Sequence, residues 1–150
     1  MAHAEAAKRA RALLVAGDRA AALQAYEEAL TEAPDDVPVL DALGFLYFMA
    51  GRFADARDAC QRSIALRPQG YYAHKGLGLC LVRMGQSDEG IAAIRRSIEL
   101  EPRYFDSRFD LGVVLGELGR WDEAEKALEG ALDVDPTREA DVRRLLARRP

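Results

Sequence analysis

Glycine and proline recur along this chain at a fixed spacing of 34 residues. The glycines stand at positions 17, 51, 85 and 119, and the prolines at 34, 68, 102 and 136. A third series places Gly44, Gly78 and Gly112 at the same spacing, with Ala10 in the first slot. A repeat of constant length, without insertions or deletions, is typical of a linear array of equivalent structural units. The chain is therefore predicted to fold as stacked copies of one small unit.

Each unit is predicted to form two helices joined by a tight turn. In the second copy, apolar residues follow helical spacing from Val39 to Tyr47, and Gly51 is placed to end that helix. Small and apolar residues from Ala56 to Leu66 line one face of a second helix, which Pro68 stops. A helix pair has an apolar side left over that only the next pair can cover. The sequence therefore predicts an all-α solenoid.

The small residues predict where helices pack most closely. A glycine inside a helix costs about 1 kcal/mol relative to alanine, so its recurrence at Gly44, Gly78 and Gly112 needs a compensating interaction. A close crossing of two helix backbones supplies it, because no Cβ stands between them. Ala56 and Ala124 are expected to play the same part on the second helix of their units.

These residues resemble the tetratricopeptide repeat, a 34-residue motif with leucine, glycine, alanine and proline at matching registers. The resemblance covers residues 3–138 and implies a right-handed superhelix of four helix-turn-helix units, at 3–36, 37–70, 71–104 and 105–138. The departures are Arg9 at the leucine register, His74 and Arg108 where a large apolar residue is usual, and Gly90 where alanine is usual.

Residues 139–150 follow the fourth unit and are predicted to form a C-terminal capping helix. Val142, Leu145 and Leu146 give this segment an apolar edge, while its four arginines are expected to stay in solvent. A stacked array needs a polar end, which favours a cap over the alternative of a basic interaction tail.

The resemblance also implies that the first helix of each unit lines a concave groove, which the sequence makes unusually apolar. The predicted groove residues are Phe45, Phe48, Met49, Tyr72, Lys75, Leu79, Val82, Arg83, Phe109 and Val113. Exposed apolar strips rimmed by charge usually mark contact surfaces. The alternative is that some of these side chains pack between units or under the capping helix. Lys75 and Arg83 are expected to hold an acidic group of the ligand.

The first functional hypothesis is a non-catalytic module that binds a peptide or helix of another protein in this groove. The second is self-assembly, in which the same groove takes a segment of another copy and forms a homo-oligomer. The chain contains no asparagine. That argues against the family members that hold the acidic tails of heat-shock chaperones, since their set of anion-binding residues includes asparagine.

No catalytic residue, cofactor site or metal site is predicted. The GLGLC segment at 76–80 has neither the preceding strand nor the following Gly-Lys of a phosphate-binding loop. Cys60, Cys80 and His74 lack the close spacing of metal ligands, so both cysteines are expected in the core. A redox-linked Cys60–Cys80 pair remains open, because the two helices are expected to be neighbours. No nucleophile, base and orienting group come together in the pattern.

Composition limits the remaining classes of partner. The net charge is −4 and no basic tract is present, so nucleic-acid binding is not predicted. No apolar run approaches the roughly 18 residues of a membrane-spanning helix. With only two cysteines and no secretory signal, a cytoplasmic location is expected. The frequent alanine and arginine would suit a GC-rich bacterial genome.

Overall fold

A computed structural model describes residues 2–150, and within that range the only regular elements are helices. Eight of them form four successive pairs, each joined by a short turn. Each pair falls within one 34-residue unit, except that the first helix begins one residue earlier. The pairs are α1 (Ala2–Val15) with α2 (Arg19–Glu32), α3 (Val37–Met49) with α4 (Phe53–Leu66), α5 (Tyr71–Arg83) with α6 (Ser87–Leu100), and α7 (Phe105–Glu117) with α8 (Trp121–Val134).

The turn inside each pair depends on a glycine in the left-handed conformation. The φ angles of Gly17, Gly51, Gly85 and Gly119 are 86°, 75°, 84° and 76°. This conformation lets the N–H of the residue after the glycine donate a hydrogen bond to a carbonyl oxygen in the last turn of the helix. In the second unit, the N–H of Arg52 donates to the carbonyl oxygen of Tyr47 at 2.8 Å. The same bond recurs in the other three units, so the 34-residue glycine series marks four equivalent helix ends.

The core runs along the stack instead of forming one central cluster. One cluster joins the first two units around Tyr26, Val39 and Leu43, and a second joins the last two around Ile94 and Leu115. Ser63, Ser97 and Ser107 are buried among these apolar side chains, and each makes a side-chain hydrogen bond. The stack therefore buries apolar surface between units, as expected of a solenoid.

A ninth helix covers the C-terminal end of the stack. After a 3-10 turn at Pro136–Arg138, α9 runs over Glu139–Leu146. Its Val142 and Leu145 are 3% and 7% exposed and pack with Leu128 of α8. The predicted all-α solenoid of four helix pairs with a capping helix is thereby confirmed. None of the helices in residues 2–150 has the length and apolar character needed to span a membrane.

Candidate binding groove

The first helices of successive units lie side by side and form one layer of the stack. Helix α3 contacts α5, and α5 contacts α7. Side chains that project from this layer away from the second helices therefore share one surface. The ten predicted groove residues all belong to these three helices.

A small cavity opens between α3 and α5, and five of the ten predicted groove residues line it. They are Phe45, Phe48, Tyr72, Lys75 and Leu79, joined by Asp41, Gly44, Cys60, Ala73 and Gly76. Its volume is about 40 Å³. Sites for whole small molecules usually enclose about 300–1,000 Å³. The cavity suits a single inserted apolar group.

Two apolar side chains of α3, one of them at this cavity, are open to solvent. Phe45 lines the cavity and is 38% exposed, and Met49 is 46% exposed. They are four residues apart on α3 and so lie on the same face of the helix. A phenylalanine and a flexible methionine on the same helix face form an exposed apolar surface that can adapt its shape to a partner.

The floor of the cavity depends on Cys60 and two glycines. A Cβ added to Gly44 of α3 or to Gly76 of α5 would lie 3.0 Å from the Cys60 sulfur. Both helix backbones therefore approach one thiol closely. Cys60 and Cys80 are buried free thiols. The hydrogen bond with Cys80, together with burial, raises the pKa of Cys60, so this thiol stays protonated.

Lys75 is held inside the groove wall and is only 14% exposed. Its Nζ lies 3.2 Å from the carboxylate of Asp110 on α7 and 5.5 Å from the ring centres of both Tyr72 and Tyr104. Burial raises the pKa of Asp110 above its ordinary value, and the charge of Lys75 partly offsets this. Lys75 therefore links α5 to α7 through a largely buried ion pair.

Arg83 also pairs with α7, because its guanidinium lies 3.4 Å from the Glu117 carboxylate. Both side chains are about one-third exposed or more, so this pair contributes little to stability. Lys75 and Arg83 thus already face carboxylates of the same chain. This differs from the sequence prediction that the two cations are available to an acidic group of a ligand.

The remaining predicted groove residues do not line the cavity between α3 and α5. Val82 packs on α6, where its Cγ2 lies 2.6 Å from the place that a Cβ on Gly90 would occupy. Phe109 and Val113 are half-buried and pack with the cluster that holds Val142 and Leu145 of α9. The capping helix therefore covers part of the fourth unit's groove surface.

A second cavity lies between α7 and α9, with a volume of about 380 Å³. Its lining residues are Phe109, Val113, Arg138, Asp141, Arg144, Leu145 and Arg148. The four arginines of residues 139–150 are exposed, as predicted from the sequence, but the cavity that two of them line was not predicted. The available signal was that Arg144 and Arg148 are four residues apart, a spacing that puts two side chains on one helix face.

Comparison with known proteins agrees with this architecture. The sequence pattern described as "Tetratricopeptide repeat" matches residues 13–75 and 81–149 of the chain. None of the curated proteins matches the chain significantly.

Several solved structures superpose on most of the chain. A tetratricopeptide repeat protein of Thermus thermophilus has a TM-score of 0.85 at 25% identity, over 97% of this chain and 80% of that one. A crystal structure of MamA has a TM-score of 0.78 at 25% identity, over 92% and 81% of the two chains. An O-GlcNAc transferase from Thermobaculum terrenum is 31% identical with a TM-score of 0.71, but the match covers 76% of this chain and only 22% of that protein.

Proposed function

This chain belongs to the tetratricopeptide repeat family, and we propose that it is a non-catalytic module that binds a segment of a partner protein in the groove lined by α3, α5 and α7. The family is one of protein-interaction scaffolds, so the proposal concerns which surface this member uses. The segment inserts an apolar side chain into the cavity between α3 and α5. Phe45, Met49, Tyr72 and Leu79 supply the contact.

The observation that carries the proposal is the combination of a cavity and exposed apolar side chains on one face. Phe45 and Met49 are among the six large apolar side chains in residues 2–150 that are most open to solvent. Phe45 lines the cavity, and Met49 lies one turn further along the same helix. The other four exposed side chains, Val15, Leu66, Tyr71 and Leu118, do not line the cavity. A recess flanked by apolar surface is the usual form of an anchor site for a partner side chain.

The chemistry of the cavity supports binding and not catalysis. Its two charged side chains, Asp41 and Lys75, are already engaged within the chain. The Ser63 hydroxyl donates to Asp41 at 2.6 Å, and Lys75 is paired with Asp110. A catalytic site needs a nucleophile or base that is free to reach a substrate. We therefore assign the groove a role in recognising a partner segment.

A peptide library tests the proposal directly. Random peptides of about ten residues, displayed on phage, are panned against the full chain and against a Phe45→Ser/Met49→Ser variant. The matched control is Leu66→Ser/Leu118→Ser, which removes two apolar side chains of similar exposure from α4 and from the end of α7. We expect enriched peptides to bind the wild type and the control, and to lose about tenfold or more in affinity for the groove variant.

Equal affinity for the groove variant and the wild type would contradict the proposal. Light scattering over a range of protein concentrations, measured without peptide, separates the partner segment from a second copy of the chain. A monomer supports a foreign segment. A dimer that the Phe45→Ser/Met49→Ser variant abolishes would mean that the groove serves self-assembly instead.

A further inference from the structure

We propose that the cavity between α7 and α9 binds a carboxylate of the partner together with an aliphatic side chain next to that carboxylate. Both groups belong to the same partner segment that enters the cavity between α3 and α5. The carboxylate is that of an acidic residue or of the chain end. This inference rests on the proposed function and specifies the chemistry of the partner. The site is formed by Phe109, Val113, Leu145, Arg144 and Arg148.

The floor of this cavity is apolar and belongs to two helices. Phe109 and Val113 come from α7, and Leu145 comes from α9. The Phe109 ring also stacks on Phe105 with 5.5 Å between ring centres, which fixes its position. At about 380 Å³ the cavity has room for an aliphatic side chain.

The rim carries three arginines against one aspartate. Arg138 is already engaged, because its Nε donates to Asp141 at 2.6 Å and its guanidinium lies 4.4 Å from the centre of the Phe105 ring. The hydrogen bond from Arg138 lowers the pKa of Asp141, which is therefore ionised and committed to this pair. One rim arginine is thus neutralised.

The other two rim arginines keep most of their capacity to bind an anion. Arg144 lies 3.6 Å from Asp141, and its side chain is 80% exposed. Among residues 2–150 no carboxylate lies within 4.0 Å of the Arg148 guanidinium. By contrast, Arg149 pairs with Asp122 at 2.8 Å and Arg143 with Glu139 at 2.9 Å. Within the described residues, Arg148 is therefore the cavity arginine without a carboxylate partner, and Arg144 has only its longer contact with Asp141. A guanidinium group can bind a carboxylate with two parallel hydrogen bonds.

The two cavities are close enough for one segment to occupy both. One lies between α3 and α5, and the other lies beyond α7, so two helix-to-helix steps separate them. At about 8–10 Å per step the separation is on the order of 20 Å. An extended chain rises about 3.3 Å per residue, so roughly six residues span the gap. The segment therefore carries an apolar anchor and, roughly six residues away, the carboxylate with its aliphatic neighbour.

The peptides enriched from the phage library provide the probe. A fluorescent synthetic peptide of the enriched sequence is titrated with wild type, with Arg144→Glu/Arg148→Glu and with Arg148→Glu alone. The control for the change of charge is Arg19→Glu/Arg103→Glu, because both arginines are exposed and lie on other helices or turns. We expect the cavity variants to weaken binding by about tenfold, or severalfold for the single variant, and the control by about twofold or less. Amidating the peptide's end and replacing its acidic residue by the amide, in separate peptides, identify which carboxylate binds.

The outcomes separate this inference from the proposed function. Peptides that lose affinity for Phe45→Ser/Met49→Ser but keep it for both arginine variants would overturn the inference and leave the proposed function standing. Peptides insensitive to every variant would overturn both. The inference also fails if an acidic peptide without an apolar residue binds equally well, or if the control variant weakens binding as much as the cavity variants do.

Discussion

Gly78 of α5 and Gly90 of α6 face each other across the tightest helix crossing in the third unit. A Cβ added to either glycine would lie 2.6 Å from the carbonyl oxygen of the other. Gly90 stands where the repeat usually has alanine, and this reciprocal contact explains the departure. The two backbones are so close that neither position has room for a methyl group.

We expect Gly78→Ala to lower the free energy of unfolding by about 1–3 kcal/mol, although alanine favours a helix by about 1 kcal/mol. The added methyl group would meet the Gly90 carbonyl oxygen and the Ile94 amide nitrogen, which are backbone atoms. Gly76→Ala is the control on the same helix, since its Cβ meets only the Cys60 sulfur, at 3.0 Å. Urea unfolding compares the two variants. A loss for Gly78→Ala no larger than that for Gly76→Ala would contradict the close crossing.

Leu111→Ala is expected to lower the free energy of unfolding by about 2–5 kcal/mol. Leu111 is 4% exposed and packs in the cluster that joins the third and fourth units. Leu118→Ala near the end of the same helix is the matched control, because that side chain is 41% exposed and its loss should cost about 0.5 kcal/mol or less. Equal losses in thermal or urea unfolding would mean that the inter-unit core lies elsewhere.

The periodic features of the fold could be predicted from the sequence, and the contacts between units could not. Gly51 and Pro68 mark helix ends by local backbone chemistry, which a single repeat contains. The Lys75–Asp110 pair joins residues 35 positions apart and depends on how α5 and α7 are oriented. The cover of α9 over Phe109 likewise depends on the path of the chain after Pro136. No local pattern determines either relationship, so the site was predicted only in part.

Removing one partner of the Lys75–Asp110 pair should be strongly destabilising. Lys75→Met leaves the Asp110 carboxylate, which is 25% exposed, without its cation. We expect the free energy of unfolding to fall by about 3 kcal/mol. This is the lower end of the range for breaking a buried ion pair, because Asp110 keeps some contact with water. The double variant Lys75→Met/Asp110→Leu should recover most of that loss. A double-mutant cycle by urea unfolding measures both effects. Additive losses would show that the two side chains do not interact.

Asp41 should make stability depend on pH. Burial raises the pKa of Asp41 above its ordinary value of 3.8, and the hydrogen bond from Ser63 and the charge of Arg67 only partly offset this. The folded protein therefore holds this proton to a higher pH than the unfolded chain. The resulting contribution to stability is present in full below pH 3.8 and is lost as the pH rises through the folded pKa.

The non-titrating variant Asp41→Asn isolates this contribution. The free energy of unfolding of wild type minus that of Asp41→Asn should fall as the pH rises above 3.8. Asp58→Asn controls for the change of charge, because the Asp58 side chain is 61% exposed. Urea unfolding at a series of pH values provides the measurement. A difference that is constant or increases with pH would contradict the assignment.

The most direct test of the account is to map a bound, library-selected peptide by NMR. Backbone amide shifts of the isotope-labelled chain are followed as the peptide is added. We predict that the largest changes fall on the faces of α3 and α5 around Phe45, Met49 and Leu79, and are absent in Phe45→Ser/Met49→Ser. Changes confined to α4, α6 and α8, with the groove residues unaffected, would contradict the claim that this groove binds the partner.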